Sequence, residues 1–181
     1  TSFVHPTNGY VWPLLVDSST KSLVVCLFSR FKFSKKIAKL TEMNPILVKV
    51  YCDGGARGNP GPAASAFVVE SQGKVLFKDS KFIGIATNNV AEYQAVIFAL
   101  EYLKVNENLF EKDITFVLDS QLVSKQLAGV FKIKNQQLKE LFKDSKKIEG
   151  TLAFKITYTF VEREKNKLAD YLVNETLDKN I

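Results

Sequence analysis

From residue 47 onward the chain switches repeatedly between a two-residue and a three-to-four-residue apolar period. Leu47-Val-Lys-Val-Tyr-Cys-Asp53 alternates, placing Val48, Val50 and Cys52 on one face, and predicts a strand. A turn-rich stretch follows through Gly54, Gly55, Gly58, Asn59, Pro60, Gly61 and Pro62. Ala63 to Glu70 and Lys74 to Ile83 flank Ser71-Gln72-Gly73, the pattern of a hairpin. At Asn89 the period becomes helical, with Val96, Ala99, Leu100 and Leu103 forming a stripe. Ile114 to Leu118 predicts a short strand, Gln121 to Leu127 a helix, and Leu138, Leu141, Phe142 and Ile148 mark another helix. Phe154, Ile156, Tyr158 and Phe160 alternate as a last strand, and Leu168 to Leu177 closes the chain as a helix. The order βββαβααβα implies an α/β fold, a five-stranded mixed sheet with its first three strands antiparallel, flanked by helices.

Residues 1–42 lack this regularity. They are rich in Ser, Thr, Phe and Lys, and they end next to Met43, the single methionine. The chain therefore divides into an N-terminal extension, 1–42, and a regular domain, 43–181. The extension reads as an accessory basic arm, a targeting segment or an over-extended start, and it is expected to be dispensable for chemistry. The net charge of +6 is concentrated in it: Lys21, Arg30, Lys32, Lys35, Lys36 and Lys39 stand against Asp17 and Glu42, which leaves 19 basic and 17 acidic residues beyond. That excess suggests a polyanionic partner but does not by itself identify one.

Composition removes several chemistries. Two cysteines, Cys26 and Cys52, and one histidine, His5, argue against a disulfide scaffold, a structural zinc site and histidine-based triads. No apolar run approaches the roughly 18–20 residues that a membrane span needs. A reducing, cytoplasmic location without membrane association is the expectation.

Four acids occupy suggestive positions. Asp53 ends the first strand on the face opposite Val50 and Cys52. Glu92 lies one helical turn before Val96 on the apolar stripe, where an unpaired carboxylate is costly. Asp119 ends a strand immediately before a helix that begins near Ser120, and Asp170 shares a helix face with Val173 and Leu177. Each has a local alternative. Asp53 could open a turn, Asn89-Val-Ala-Glu92 could be a capping arrangement with Glu92 at N3, and Asp119 could serve the helix dipole. Together they differ, because strand ends and helix starts of an open α/β sheet converge on one edge. Carboxylates meeting there without arginine partners would repel one another unless hard cations lay between them. Mg²⁺ or Mn²⁺ suits such oxygen ligands, and two ions about 3.5–4 Å apart can hold both the attacking water and the leaving oxygen of a phosphodiester.

Four segments carry a resemblance: Tyr51-Cys-Asp-Gly-Gly-Ala-Arg-Gly-Asn-Pro-Gly-Pro62, Thr87-Asn-Asn-Val-Ala-Glu-Tyr93, Leu118-Asp-Ser-Gln-Leu122 and Asn166-Lys-Leu-Ala-Asp170. Residues 46–178 resemble type 1 ribonuclease H, in the compact form found in archaea and some bacteria. The resemblance implies a ribonuclease H-like fold and a monomeric endonuclease that hydrolyses the RNA strand of RNA–DNA hybrids, with double-stranded RNA as a further candidate substrate. It implies two Mg²⁺ ions, replaceable by Mn²⁺: Asp53 would bridge both, Glu92 and Asp119 would hold one, and Asp170 the other. Gly54, Asn59, Asn88, Asn89 and Gln121 match positions that contact the hybrid, several at ribose 2′-hydroxyls exposed in a wide minor groove.

Two departures from the family pattern qualify this. The extra basic helix of larger bacterial members is absent, and Phe131-Lys-Ile-Lys134 leads directly into the next helix, so Lys132 and Lys134 become candidate phosphate contacts or a solvated pair. The loop Glu162-Arg-Glu-Lys-Asn-Lys167 lacks the histidine that many members carry, which leaves Arg163 to hold a phosphate by charge without exchanging a proton. The alternatives are a catalytically silent hybrid-binding module, which loss of a ligand acid would favour, and another nuclease of this fold. No ligand acid is lost, and the segments at 54–62 and 87–89 match hybrid-reading positions.

Overall fold

The computed structural model describes residues 47–110 and 113–181. The expectations for residues 1–42 therefore lie outside the described residues. Strands β1 (Val48–Ala56), β2 (Gly61–Ser71) and β3 (Lys74–Ala86) form an antiparallel meander, followed by helix α1 (Asn88–Val105). Strand β4 (Ile114–Leu118), helices α2 (Gln121–Leu127) and α3 (Gln136–Glu149), strand β5 (Ile156–Phe160) and helix α4 (Lys167–Asn180) complete the domain. The sheet order is β3-β2-β1-β4-β5, with β4 parallel to both β1 and β5. The predicted α/β architecture and antiparallel first three strands are as observed.

Alternation decides the two faces of the sheet. Val48, Val50 and Cys52 pack into a core with Phe67 and Val69 of β2, Phe116 and Leu118 of β4, and residues of α1, α2 and α3. The opposite face carries a smaller core in which Ala64, Ala66 and Val68 meet Ala169, Leu172, Val173 and Leu177 of α4. Helix α1 is apolar on more than its predicted stripe: Val90, Ala91, Tyr93, Ala95 and Ile97 are buried as well. Its outer side is covered by α3, so this helix lies within the core. No helix among the described residues is long and apolar enough to cross a membrane.

Among the boundaries that differ from the sequence reading, three have a clear local reason. Strand β1 does not stop at Asp53 but runs through Gly54 and Gly55 to Ala56, because Gly54 and Gly55 pair with Ser65 and Ala64 of β2. The turn is thereby confined to Arg57–Pro60 and is closed by the Arg57 N–H donating to the Pro62 carbonyl at 2.8 Å. Helix α1 is capped by Thr87, whose hydroxyl accepts from the Val90 N–H at 3.4 Å. Glu92 thus lies in the second turn and not at N3, and the capping arrangement read from Asn89 to Glu92 is not formed. Phe154 precedes β5 and packs edge-on against Phe110 with ring centroids 6.3 Å apart.

The extension of β1 brings that strand hard against helix α1 at Gly54. A Cβ on Gly54 would lie 2.1 Å from the Ala91 carbonyl carbon and 2.3 Å from the Glu92 nitrogen, both backbone atoms that cannot turn aside. Beside it, the Ser65 hydroxyl donates to the Ala91 carbonyl at 2.7 Å. A Cβ on Gly55 faces the other side of the sheet and would meet only Val173 Cγ1, at 3.2 Å. Gly54→Ala is therefore expected to cost about 2–4 kcal/mol, and Gly55→Ala less than about 1 kcal/mol. Urea melts of the two variants test this, and equal losses would show that α1 can retreat from β1.

Candidate metal centre

The carboxylates arrive from four elements. Asp53 lies near the end of β1 and is 6% exposed, and Glu92, on the second turn of α1, is 9% exposed. Asp119 follows β4 and precedes Ser120, whose hydroxyl caps α2 by accepting from the Val123 N–H at 3.4 Å. Ligand oxygens of Asp53, Glu92 and Asp119 all lie within 4.8 Å of one another. Asp170, in the first turn of α4, lines the same cavity of about 380 Å³ but stands outside that cluster.

Two buried side-chain bonds hold these elements in place. Tyr93, next to Glu92, donates its hydroxyl proton to Gln126 Oε1 at 3.0 Å, tying α1 to α2. Asn166, 1% exposed at the start of α4, donates from Nδ2 to the Cys52 carbonyl at 2.9 Å, one residue before Asp53. Neither link could be read from local periodicity, since their partners lie 33 and 114 residues apart.

The electrostatics are those of crowded, desolvated acids. Burial, followed by the Asp119 and Asp170 charges, pushes the Asp53 carboxyl up to about 7, against the opposing pull of the Gly54 N–H and Arg163. Burial, then Asp53 and Asp119, holds Glu92 well above the ordinary carboxylate range. Asp119 is raised by burial, while the adjacent Asn166 amide and Arg163 oppose the shift. Glu92 Oε2 is buried without a hydrogen-bond partner. A hard cation among these oxygens would satisfy that atom and offset the repulsion, so the donor set fits a divalent metal.

The sequence reading of unpaired carboxylates needs one correction. Arg163 Nε donates to Asp170 Oδ1 at 3.1 Å, and its Nη2 donates to the same oxygen. Arg163 belongs to a short 3₁₀ turn, Arg163–Lys165, which places its side chain back over the first turn of α4. Of the other singled-out residues, Gly54 and Asn88 line the cavity. Asn88 Oδ1 accepts from the Ala56 N–H at 2.8 Å, and the Asn88 N–H donates to Asn59 Oδ1 at 3.1 Å, so both asparagines also brace the β1 end against α1. Asn89, Gln121, Lys132 and Lys134 are exposed and do not line the cavity.

Arg57 and Asn174 line the cavity although they carried no role in the sequence reading. Asn174 was accessible to it, being one helical turn beyond Asp170 on the same face, with its Nδ2 donating to the Asp170 carbonyl at 2.9 Å.

The raised acids set a pH trend for the metal-free protein. Folded Asp53 binds its proton up to about pH 7, whereas an unfolded Asp releases it near pH 3.9. The fold then holds more protons than the unfolded chain between those limits, so this group's contribution falls as pH rises from about 4 to 7 and is fully unfavourable above. In EDTA, Asp53→Asn should gain about 1–3 kcal/mol over the parent at pH 7.5 and little at pH 4.5. Mg²⁺ should stabilise the parent at pH 7.5 and the variant much less. Thermal melts read both, and an Asn variant no more stable than the parent at pH 7.5 would contradict this account.

Comparison with known proteins places this geometry among relatives. A family described as "Reverse transcriptase-like" matches residues 51–176. Ribonuclease HI of Halobacterium salinarum is 41% identical over 133 residues, covering 72% of this chain and 64% of that protein. The bifunctional protein Rv2228c of Mycobacterium tuberculosis is 36% identical over 133 residues, covering 72% of this chain. The chain spans only 35% of that relative's length. Among solved structures, LC11-RNase H1 in complex with an RNA/DNA hybrid superposes with a TM-score of 0.70 at 41% identity, covering 74% of this chain and 98% of that one.

Proposed function

Because the chain belongs to the type 1 ribonuclease H family, we propose that it is a divalent-metal-dependent endonuclease. On this reading it hydrolyses the RNA strand of RNA–DNA hybrids and leaves 5′-phosphate and 3′-hydroxyl ends. The observation that carries the reading is the meeting of Asp53, Glu92 and Asp119 oxygens within 4.8 Å, with Glu92 Oε2 buried and unpartnered. The hybrid held by the 41%-identical LC11-RNase H1 supports the substrate class.

Asp53, Glu92, Asp119 and Asp170 would hold two Mg²⁺ ions, with Mn²⁺ as a substitute and Asp53 shared. When bound, such ions lower the pKa of water and neutralise charge on the departing oxygen. The chain's own groups do the rest. The Asn166 link and the Tyr93–Gln126 link keep the acids in register, so little reorganisation is needed when substrate arrives. Gly54, Asn59, Asn88, Asn89 and Gln121 are the candidate contacts to the hybrid. Amides can both donate to and accept from a 2′-hydroxyl, which DNA lacks. Lys132 and Lys134 would reach phosphates at a distance from the cavity.

Arg163 would neutralise Asp170 and hold the phosphate that leaves the site. Its guanidinium keeps its charge, since pairing with Asp170 raises its pKa further. It can therefore bind an anion but cannot shuttle a proton.

Two sets of variants test the reading. Asp53→Asn or Asp119→Asn should abolish cleavage of a labelled hybrid while the protein stays folded and still binds it; near-normal turnover by either at saturating Mg²⁺ would sink the metal-site assignment. Arg163→Ala should lower turnover about tenfold, roughly 1.4 kcal/mol of barrier, with little change in hybrid affinity. Arg163→His should recover part of that loss and add a pH dependence near neutrality, where imidazole titrates. An alanine variant matching the parent from pH 6 to 9 would remove Arg163 from the reaction. Double-stranded RNA, double-stranded DNA and a duplex with a single ribonucleotide, run beside the hybrid, define the substrate range.

A further inference from the structure

Two arginines line the carboxylate cavity, and they are committed differently. Arg163 is paired to Asp170, a member of the acidic set. Arg57, in the turn that leaves β1, pairs through Nη2 with Asp178 in the last turn of α4. Asp178 does not line the cavity, so its charge holds Arg57 without contributing to the metal centre. Both partners are well exposed, at 45% and 63%.

We propose that Arg57 is a ligand for a backbone phosphate of the hybrid, and that Asp178 is an internal competitor which occupies the guanidinium until a phosphate displaces it. The proposal rests on the hybrid-cleaving reading above and assigns one contact within it.

Three observations carry it. First, the anchor is rigid while the head is free. The Arg57 N–H donates to the Pro62 carbonyl at 2.8 Å, and the preceding Ala56 N–H donates to Asn88 Oδ1 at 2.8 Å. Gly61 passes so close that a Cβ there would lie 2.1 Å from the Arg57 carbonyl oxygen. The backbone is thus fixed at the cavity wall, and only the exposed side chain can change partner.

Second, a backbone phosphate beyond the metal centre needs a cation other than the one assigned to the departing phosphate. A phosphodiester approaching Asp53, Glu92, Asp119 and Asp170 meets four acids of its own sign. Among the residues lining the cavity, only Arg57 and Arg163 are basic, and Arg163 already serves Asp170.

Third, the exchange is inexpensive. Ion pairs exposed to water contribute little, because solvent screens them and two long side chains must be ordered. A phosphate offers the same guanidinium a charge-assisted, forked contact, the geometry for which arginine is suited over lysine. Asp178 then tunes affinity downward, since each binding event must break its bond with Arg57.

The test is fluorescence anisotropy with a labelled RNA–DNA hybrid in metal-free buffer over a salt series. The proteins are the parent chain, Arg57→Ala, Asp178→Ala and the double variant, with Arg57→Gln as a second probe should alanine disturb the turn. Arg57→Ala should weaken binding about 5–20-fold and reduce the slope of log K against log salt by about one, as expected for one lost phosphate contact. Asp178→Ala should tighten binding about 2–5-fold in the parent and have no effect when Arg57 is already absent. An Arg57 variant within twofold of the parent with the same salt slope would overturn the proposal. So would an Asp178→Ala gain of equal size in both backgrounds, which would mean only that a negative charge had left the surface. A parent chain that neither binds the hybrid nor cleaves it with Mg²⁺ would instead overturn the functional reading. A parent that does both beside an unaffected Arg57 variant would overturn this assignment alone.

Discussion

The contact on which the site depends is between two backbones. Gly54 of β1 lies against the Ala91–Glu92 peptide of α1 with no room for a single added carbon. Because α1 sits that close, Glu92 in its second turn reaches the oxygens of Asp53, which precedes Gly54 in the strand, and of Asp119, just beyond the end of neighbouring β4. The Ser65 hydroxyl on the Ala91 carbonyl keeps that peptide in place. Any side chain at position 54 would push α1 outward, and the acids would separate before any of them was changed. The glycine therefore serves the approach of two elements of the protein.

That contact brings together charges that oppose folding. Asp53 and Glu92 are buried beside each other and beside Asp119, and burial is the largest cause of the raised proton affinity of all three. Stability elsewhere must offset this, and the two cores on either face of the sheet supply it. Apolar burial is non-directional, so it can hold polar groups in a geometry that they would not choose for themselves. Asn166 and Tyr93 then add direction, each by a single buried bond from an element bearing one acid to an element beside another. The outcome is a set of acids whose repulsion a cation can relieve.

Around this negative centre the positive groups stand at the rim. Arg163 forks onto Asp170 and Arg57 reaches Asp178, so each guanidinium is occupied by a carboxylate of α4. A site built this way keeps its arginines placed without burying them. The lysines at 132 and 134 lie apart, on the exposed connection between α2 and α3.

Whatever depends on neighbours a few residues apart can be read directly from local spacing. Alternation through Val48, Val50 and Cys52 put Asp53 on the opposite face of β1, helical spacing put Glu92 on the buried side of α1, and Ser120 marked the start of α2 just after Asp119. Those placements follow from periods of two and 3.6 residues, which hold wherever the element is placed. Tertiary structure decided the rest. The cap at Thr87 in place of Asn89, the continuation of β1 through its glycines, the pairing of Arg163 with Asp170 and the bond from Asn166 to Cys52 each depend on what another segment presents. Position 54 shows the difference most plainly. Composition makes a glycine there look like the start of a turn, because a missing side chain is silent about its surroundings. Only the packed helix reveals that the vacancy is filled by the backbone of Ala91.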